Sequence, residues 1–307
     1  MAPTYTAGIG KHQPQCGGRC LVAQVGEDNY ANVSGVLILV PTALWMVYVA
    51  PHLWRSVSVA LPFAGVALFV CSVLSLCGAR LVEPGILPTK DIEGQTTVGG
   101  YTKKVVQLNG RTGELEAYRA KYVRETGNAI ERFDHFCPWV GNVVGKRNYR
   151  HFVMFLTATN LLSLLVLVTT ATTAMSKSKG YTGGFADYMD EHSGDALVMV
   201  GLLVYVAVIL LCVGGLWLYH LQLICSNKTT NEDIKQTLER HNPYDLGCCS
   251  NCSEILCSPV RTSYLSVAVS SGAVSQPRGT VTGAGAGAPQ QTRSSRVEVG
   301  EPEAAGP

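Results

Sequence analysis

Four windows along the chain, residues 33–50, 57–79, 152–175 and 196–224, hold few or no charges. Each is about 18 residues or longer, the length at which an α-helix crosses the hydrocarbon core of a bilayer. The pattern predicts an all-α polytopic membrane protein with four transmembrane helices. The first two windows are separated by only Pro51 to Ser56 and must form an antiparallel hairpin with a short turn. Trp45, Tyr48 and Trp54 fall towards that boundary, as interfacial anchors in contact with lipid do. The third window is polar early, at Thr157, Thr159, Asn160 and Ser163, which fits hydrogen bonds between helices or the wall of a cavity. In the fourth, Gly214 and Gly215 allow close helix approach. Residues 1–32 read as a polar tail, and from 267 on the Gly, Ala, Ser, Thr and Gln content predicts disorder.

Charge orients the spans. Two Lys or Arg precede the first span, one lies between spans one and two, twelve lie from Arg80 to Arg150, two between spans three and four, and seven follow span four. By the positive-inside rule both termini and the long middle loop are cytoplasmic. The start of the chain lacks the basic and small-residue pattern of a cleaved signal peptide, so the first span reads as retained. The net charge of +2 excludes little, but the middle loop sets twelve basic against eight acidic residues, a surface suited to anionic lipid or a phosphorylated ligand. No nucleic-acid module and no phosphate-binding glycine loop is present. The spans carry almost no ionisable residue, which argues against a channel or transporter. On this topology Cys16, Cys20, Cys137, Cys248, Cys249, Cys252 and Cys257 face the reducing side, where they are free thiols, metal ligands or acylated rather than disulfides. For the last four, beside the membrane, acylation or free thiols are favoured over zinc.

The middle loop carries the chemistry. In Arg132-Phe133-Asp134-His135-Phe136-Cys137-Pro138-Trp139-Val140-Gly141-Asn142, a thiol lies two residues from an imidazole that has a carboxylate beside it. An imidazole so supported can deprotonate a thiol at neutral pH, and the thiolate attacks acyl carbonyls. With the following Gly145-Lys146-Arg147-Asn148-Tyr149-Arg150, this string resembles the signature of the DHHC-type protein S-acyltransferases, with Phe136 in place of the second His. Glu83-Pro84-Gly85 is similar to the family's DPG turn after span two, and Thr229-Thr230-Asn231-Glu232 to its TTxE motif after span four. The segment from His241 to Gly247, with Asn251, resembles its C-terminal packing motif.

The resemblance implies Cys137 as nucleophile, His135 as base and Asp134 as its support. Thr229, Thr230, Glu232 and Asn251 are implied as supporting residues, one Thr of the TTxE motif bonding near the catalytic Asp; the alternative is a pair of Thr capping a helix before Glu232. Lys146, Arg147 and Arg150 are candidates for the phosphates of coenzyme A, or else simple anchors at the cytoplasmic boundary. The implied activity transfers a long-chain, palmitoyl-like group from acyl-CoA through a Cys thioester to cysteines of membrane-associated proteins at the lipid bilayer, with no nucleic acid involved. The implied location is an endomembrane, the Golgi first, with the endoplasmic reticulum or plasma membrane as alternatives.

One departure from the family is extensive. The family binds two structural zinc ions in this loop, at positions that fall here on Asn109, Thr112, Tyr122, Val123, Thr126, Ala129, Phe136 and Val143. Zinc takes thiolate, imidazole or carboxylate, so no metal site is expected at these positions and no cofactor beyond the acyl-CoA co-substrate. A structural zinc supplies roughly 10 kcal/mol or more of folding free energy. The replacements are largely apolar, so a small hydrophobic cluster is expected to fill the vacated volume, with turns at Asn109-Gly110 and at residues 125–128 giving a partly β-hairpin loop. The competing account is an inactive membrane scaffold whose loop has decayed. Against it, Asp134, His135 and Cys137 remain while the zinc-binding position of the signature alone has changed. The expected layout is a tail at 1–32, a membrane hairpin at 33–79, the catalytic loop at 80–151, a second hairpin at 152–225, a packing segment at 226–266 and a tail at 267–307.

Overall fold

The computed structural model describes residues 11–15, 20–23, 30–87, 119–236, 238, 242–260 and 263. The apolar windows become four long helices, α1 Tyr30–Tyr48, α3 Ala60–Leu81, α4 Tyr149–Ser178 and α6 Ser193–Cys225, all long and apolar enough to cross a membrane. The bundle is built around α4, whose most apolar window is 61% buried against 22–28% for the others, and which packs along both α3 and α6. Its polar residues turn inward. Thr159 shares a hydrogen bond of 2.7 Å with Ser72 of α3, Trp217 of α6 donates to Thr157 at 3.0 Å, and the Asn160 amide reaches the Val213 carbonyl at 3.4 Å. A Cβ at Gly214 would stand 3.2 Å from Asn160, so this glycine sets the approach of α6, whereas Gly215 faces open space.

Three expectations change. Pro51–Ser56 is not a bare turn but part of helix α2, Ala50–Ser56, because a proline in a first helical turn forfeits no hydrogen bond. Trp45 is no lipid anchor. It is fully buried, its indole N–H donates to Thr169 at 2.9 Å, and its ring leaves no room for a Cβ at Gly65; Trp54 remains exposed. The N-terminal stretch is not all tail: β1 His12–Gln15 and β2 Cys20–Ala23 form an antiparallel hairpin. It docks on the middle loop through the Lys11 N–H to the Thr126 carbonyl at 2.7 Å, a 3.1 Å hydrogen bond between His12 and Asn128, and the buried Leu21. The polar composition of residues 1–32 hid this, because a single apolar side chain does the packing. Between spans three and four, α5 Phe185–Glu191 forms a short helix.

The middle loop holds strands β3 Ile86–Leu87, β4 Lys121–Val123 and β5 Asn128–Ile130, paired antiparallel in the order β3-β5-β4, and a separate hairpin of β6 His135–Cys137 with β7 Asn142–Val144. The turn at residues 124–127 joins β4 to β5, with Gly127 at φ +70°, close to where the sequence predicts one. Leu21, Ile86, Val123, Ile130, Phe133 and Val143 form one buried cluster, with the half-buried Phe136 against it. Asn109-Gly110, Cys16, His241 and the tail from 267 lie outside the described residues.

Two asparagines fasten the β6–β7 hairpin to the membrane helices. Asn142 donates to the Arg80 carbonyl at 2.8 Å, and Asn148 donates to the carbonyls of Ala79 and Val143 at 2.9 and 2.8 Å while accepting from the Gly145 N–H. Helix α7 Thr230–Ile234 follows α6 directly, and α8 Cys248–Cys252 runs into a π-helical turn, Ser253–Cys257.

Candidate active site

The strand β6 puts His135 and Cys137 two residues apart, hence on one face of the hairpin. The His135 Nδ1 lies 2.6 Å from Asp134 Oδ2, and the Cys137 side chain is close enough to act on the ring. Asp134 is buried to 1% exposure and its carboxylate is fully engaged: besides His135, the Thr230 hydroxyl donates to Oδ2 and the Thr230 N–H to Oδ1, each at 2.8 Å.

Burial opposes these charges and the hydrogen bonds overcome it. For Asp134, burial pushes the carboxyl up, but the bond and charge of His135 and the N–H of Thr230 hold it below the usual carboxylate range. For His135, burial pushes the imidazole down, but Asp134 and then Cys137 raise it to about 9. At neutral pH the proton therefore rests on His135.

Thr229 and Thr230 take different partners. Thr229 caps α7 in a reciprocal capping box with Glu232, which frees Thr230 to hold Asp134. Glu232 also pairs with Arg119, which donates to the Asn227 side chain at 2.9 Å; Arg132 reaches the same oxygen at 3.1 Å. Asn227, buried and at φ +48°, returns its own amide to the Tyr244 carbonyl at 2.8 Å and to Glu254 at 3.0 Å. Asn251 is fully buried and ties the Cys225 carbonyl to Asp245, each at 2.7 Å, so the C-terminal segment is folded back onto the end of α6.

The three boundary cations differ from the picture of open phosphate binders. Arg147 pairs with the buried Glu83, and Arg150 donates to the Ser258 carbonyl at 2.5 Å. Lys146 pairs with Glu131 at 2.5 Å but stays 42% exposed. Glu83 uses its other oxygen on the N–H groups of Gly85 and Ile86, so the Glu83-Pro84-Gly85 turn is a structural latch.

Cys137 opens onto a cavity of about 370 Å³, within the range of about 300–1,000 Å³ common for ligand pockets. Its wall is apolar, with Ile38 and Thr42 of α1, Phe155 of α4 and Leu216 of α6 among the lining, and it follows α4 from Phe152 to Val166. The fourteen steps from Phe152 to Val166 correspond to about 21 Å of helix. On the other side of the Asp134–His135 pair a shallower groove is lined by Lys121, Phe136, Asn231 and Ile234.

The described former zinc positions do not fit the metal. Val123, Ala129 and Val143 are buried apolar side chains, Phe136 packs on the cluster, and Thr126 offers only a buried hydroxyl. A donor set of the right chemistry lies elsewhere: the sulfurs of Cys225, Cys248 and Cys252 converge within 4.8 Å. Asn251 holds this segment against the end of α6, while Cys249 and Cys257 are free and exposed.

Sequence reasoning passed over Arg119, Asn148, Asn227 and His220. The first three are polar side chains whose partners are distant in sequence, a pairing that spacing does not reveal. His220 carried a usable signal, being an ionisable residue inside an apolar window.

The fold and site together define a polytopic membrane protein in which an Asp-braced His and a Cys lie beside an apolar cavity between the helices. The comparisons with known proteins agree. The DHHC palmitoyltransferase family profile matches residues 114–237. Palmitoyltransferase ZDHHC14 of Mus musculus is 32% identical over 289 residues, covering 83% of this chain and 57% of that protein, and ZDHHC14 of Homo sapiens matches with the same identity and coverage. Palmitoyltransferase ZDHHC18 of Mus musculus is 30% identical over 286 residues, covering 83% of this chain and 73% of that protein. The chain belongs to the DHHC palmitoyltransferase family. It spans little more than half the length of the ZDHHC14 proteins it matches.

Proposed function

We propose that this chain is a protein S-acyltransferase that moves a long-chain acyl group, palmitoyl foremost, from acyl-CoA to cysteines of membrane-associated proteins through a thioester on Cys137. The observation that carries this is the position of Cys137 between a His135 braced by Asp134 and an apolar cavity. Proton bookkeeping closes over two steps. The Cys137 thiolate attacks the acyl-CoA carbonyl, and His135 gives its proton to the departing coenzyme A sulfur. The neutral His135 then takes the proton of the incoming substrate thiol as that sulfur attacks the acyl-enzyme, and Cys137 leaves as thiolate with the imidazolium restored. A thioester is exchanged for a thioester, so positioning is the main requirement. Burial of a chain of about 16 carbons at ~0.8 kcal/mol per methylene is offset by its existing preference for the bilayer, which is why the donor and the carrier both sit there.

Lys146 is the boundary cation left most open to a coenzyme A phosphate. The catalytic loop faces the cytoplasm with both termini, in an endomembrane, and folds without the family's two zinc ions because packing occupies their positions. The test is labelling of the purified full chain with long-chain acyl-CoA. The wild type should take a hydroxylamine-sensitive label that Cys137→Ser loses. Equal labelling of Cys137→Ser would move the nucleophile to another cysteine, and no label on a folded wild type would leave a non-catalytic scaffold.

A further inference from the structure

His220 has no part in the steps above, yet it lies beneath them. It sits near the end of α6 and is 1% exposed. Its Nδ1 is 3.0 Å from the Tyr149 hydroxyl, and the Phe152 ring meets it edge-on with centroids 5.0 Å apart. The same Phe152 ring lies edge-on to His135, at 5.2 Å, and the two imidazole centroids are 5.9 Å apart. A ring nitrogen of His220, a ring nitrogen of His135 and a carboxylate oxygen of Asp134 all lie within 4.8 Å of one another. His220 makes no direct hydrogen bond to either of the other two, but it lies within the reach of one bridging water in a buried site.

The arrangement has a chemical use. When His135 gives up its proton, Asp134 is left as an anion at 1% exposure with its nearest positive charge gone. A polar ring held close by, with its own orientation fixed by Tyr149, steadies that carboxylate and keeps the His135 ring in place through the deprotonated half of the cycle. An apolar residue at 220 would pack equally well against Phe152 and supply none of this.

We infer that His220, oriented by Tyr149, is a positioning residue for the Asp134–His135 pair in acyl transfer. The inference rests on the acyl-transfer reading, and the experiment separates the two. The single-turnover rate of Cys137 loading and its half-saturating acyl-CoA concentration are measured on the full-length wild type, His220→Leu, His220→Asn and Tyr149→Phe, together with their melting temperatures. His220→Leu should load about 10–100-fold more slowly, the loss that goes with one interaction to a charged group, at unchanged half-saturation. His220→Asn, whose amide can still meet the Tyr149 hydroxyl, should recover most of the rate, and Tyr149→Phe should fall between them. If the wild type loads and His220→Leu loads as fast, the assignment of His220 is overturned and the acyl-transfer reading stands. If the wild type takes no label, that reading fails and this one with it. A loss in His220→Leu that His220→Asn does not repair, or that follows the melting temperature, would make His220 a packing residue. Should His220→Leu not fold, a Tyr149→Phe variant loading at the wild-type rate overturns the proposal.

Discussion

The middle loop has two halves held by different physics. Around β3, β4 and β5, Leu21, Ile86, Val123, Ile130, Phe133 and Val143 are held by shape and exclusion of water. Around Asp134, each contact is directional: three donors on one carboxylate, a capping box that frees one of those donors, and the Arg119–Glu232 and Asn227 network behind them. Packing is tolerant of chemistry as long as volume is conserved. Directional networks are not, because removing one partner strands another inside. The first half therefore accommodates apolar side chains at Val123, Ala129, Phe136 and Val143, whereas the second depends on the identity of Asp134 and its partners.

The comparison breaks most visibly in the directional half. Asp134→Asn keeps the shape but removes the charge that holds the proton on His135, and loading of Cys137 with acyl-CoA should fall about a thousandfold or more, as happens when the carboxylate of a nucleophile–His–Asp set is neutralised. The melting temperature should move far less than the rate. A variant that loads within tenfold of the wild type would detach Asp134 from the chemistry.

In the packed half the next effect is one of stability. Leu21→Ala removes the side chain by which the N-terminal hairpin enters the cluster, and should destabilise the loop by about 3 kcal/mol. Leu21→Met should cost less than about 1.5 kcal/mol. Limited proteolysis of the loop reads both, and the fraction that stays folded should load Cys137 at the wild-type rate. Strong zinc chelators should change neither loop melting nor loading. If Leu21→Ala abolishes loading in a loop that resists protease as the wild type does, the two halves are not separate.

The two halves were also unequally legible. The spans, the Asp134-His135-Cys137 set and the Thr229-Thr230-Asn231-Glu232 string lie in patterns that period and motif expose, as does the apolar character of Val123, Ala129 and Val143. Trp45 was misplaced because composition cannot distinguish a tryptophan facing lipid from one whose N–H finds Thr169. The N-terminal hairpin is hard to read because Leu21 lies in an apolar run of only four residues, Cys20 to Ala23, and its partners are about 65 residues or more away. Asn227 and Asn148 look like ordinary loop polar residues until their distant carbonyl partners are known.

Thr230 gives a smaller test of the directional half, since only one of its two hydrogen bonds to Asp134 comes from the side chain. Thr230→Val keeps the β-branched shape and the backbone N–H, and should slow loading by about tenfold, the loss of one hydrogen bond to a charged group. Thr229→Val should act through α7 and appear chiefly as lower stability, by about 1 kcal/mol, because its hydroxyl caps the helix. Equal rate losses in the two variants would erase the division of labour between them.

The dependence of stability on pH separates the two halves in another way. His135 is raised from 6.5 unfolded to about 9 in the folded chain, so folding binds a proton between those values. The stabilisation it contributes is fully present below pH 6.5 and is lost as pH rises through about 9. Asp134 runs the other way: its carboxyl is held below the ordinary value, so its contribution is present above about pH 4 and is lost only in stronger acid. Over pH 6.5 to 9.5 the slope therefore comes from His135. The wild type should lose about 6–12 °C of melting temperature across that interval, since the raise is worth about 3 kcal/mol and each kcal/mol corresponds to roughly 2–4 °C in a protein of this size class. His135→Gln should start lower and lose less, while Leu21→Ala should be shifted down in parallel with the wild type, because the packed cluster holds no titrating side chain. A Leu21→Ala profile with a different slope would show that the apolar half and the proton on His135 are coupled. A wild-type profile rising with pH would place the proton somewhere other than His135.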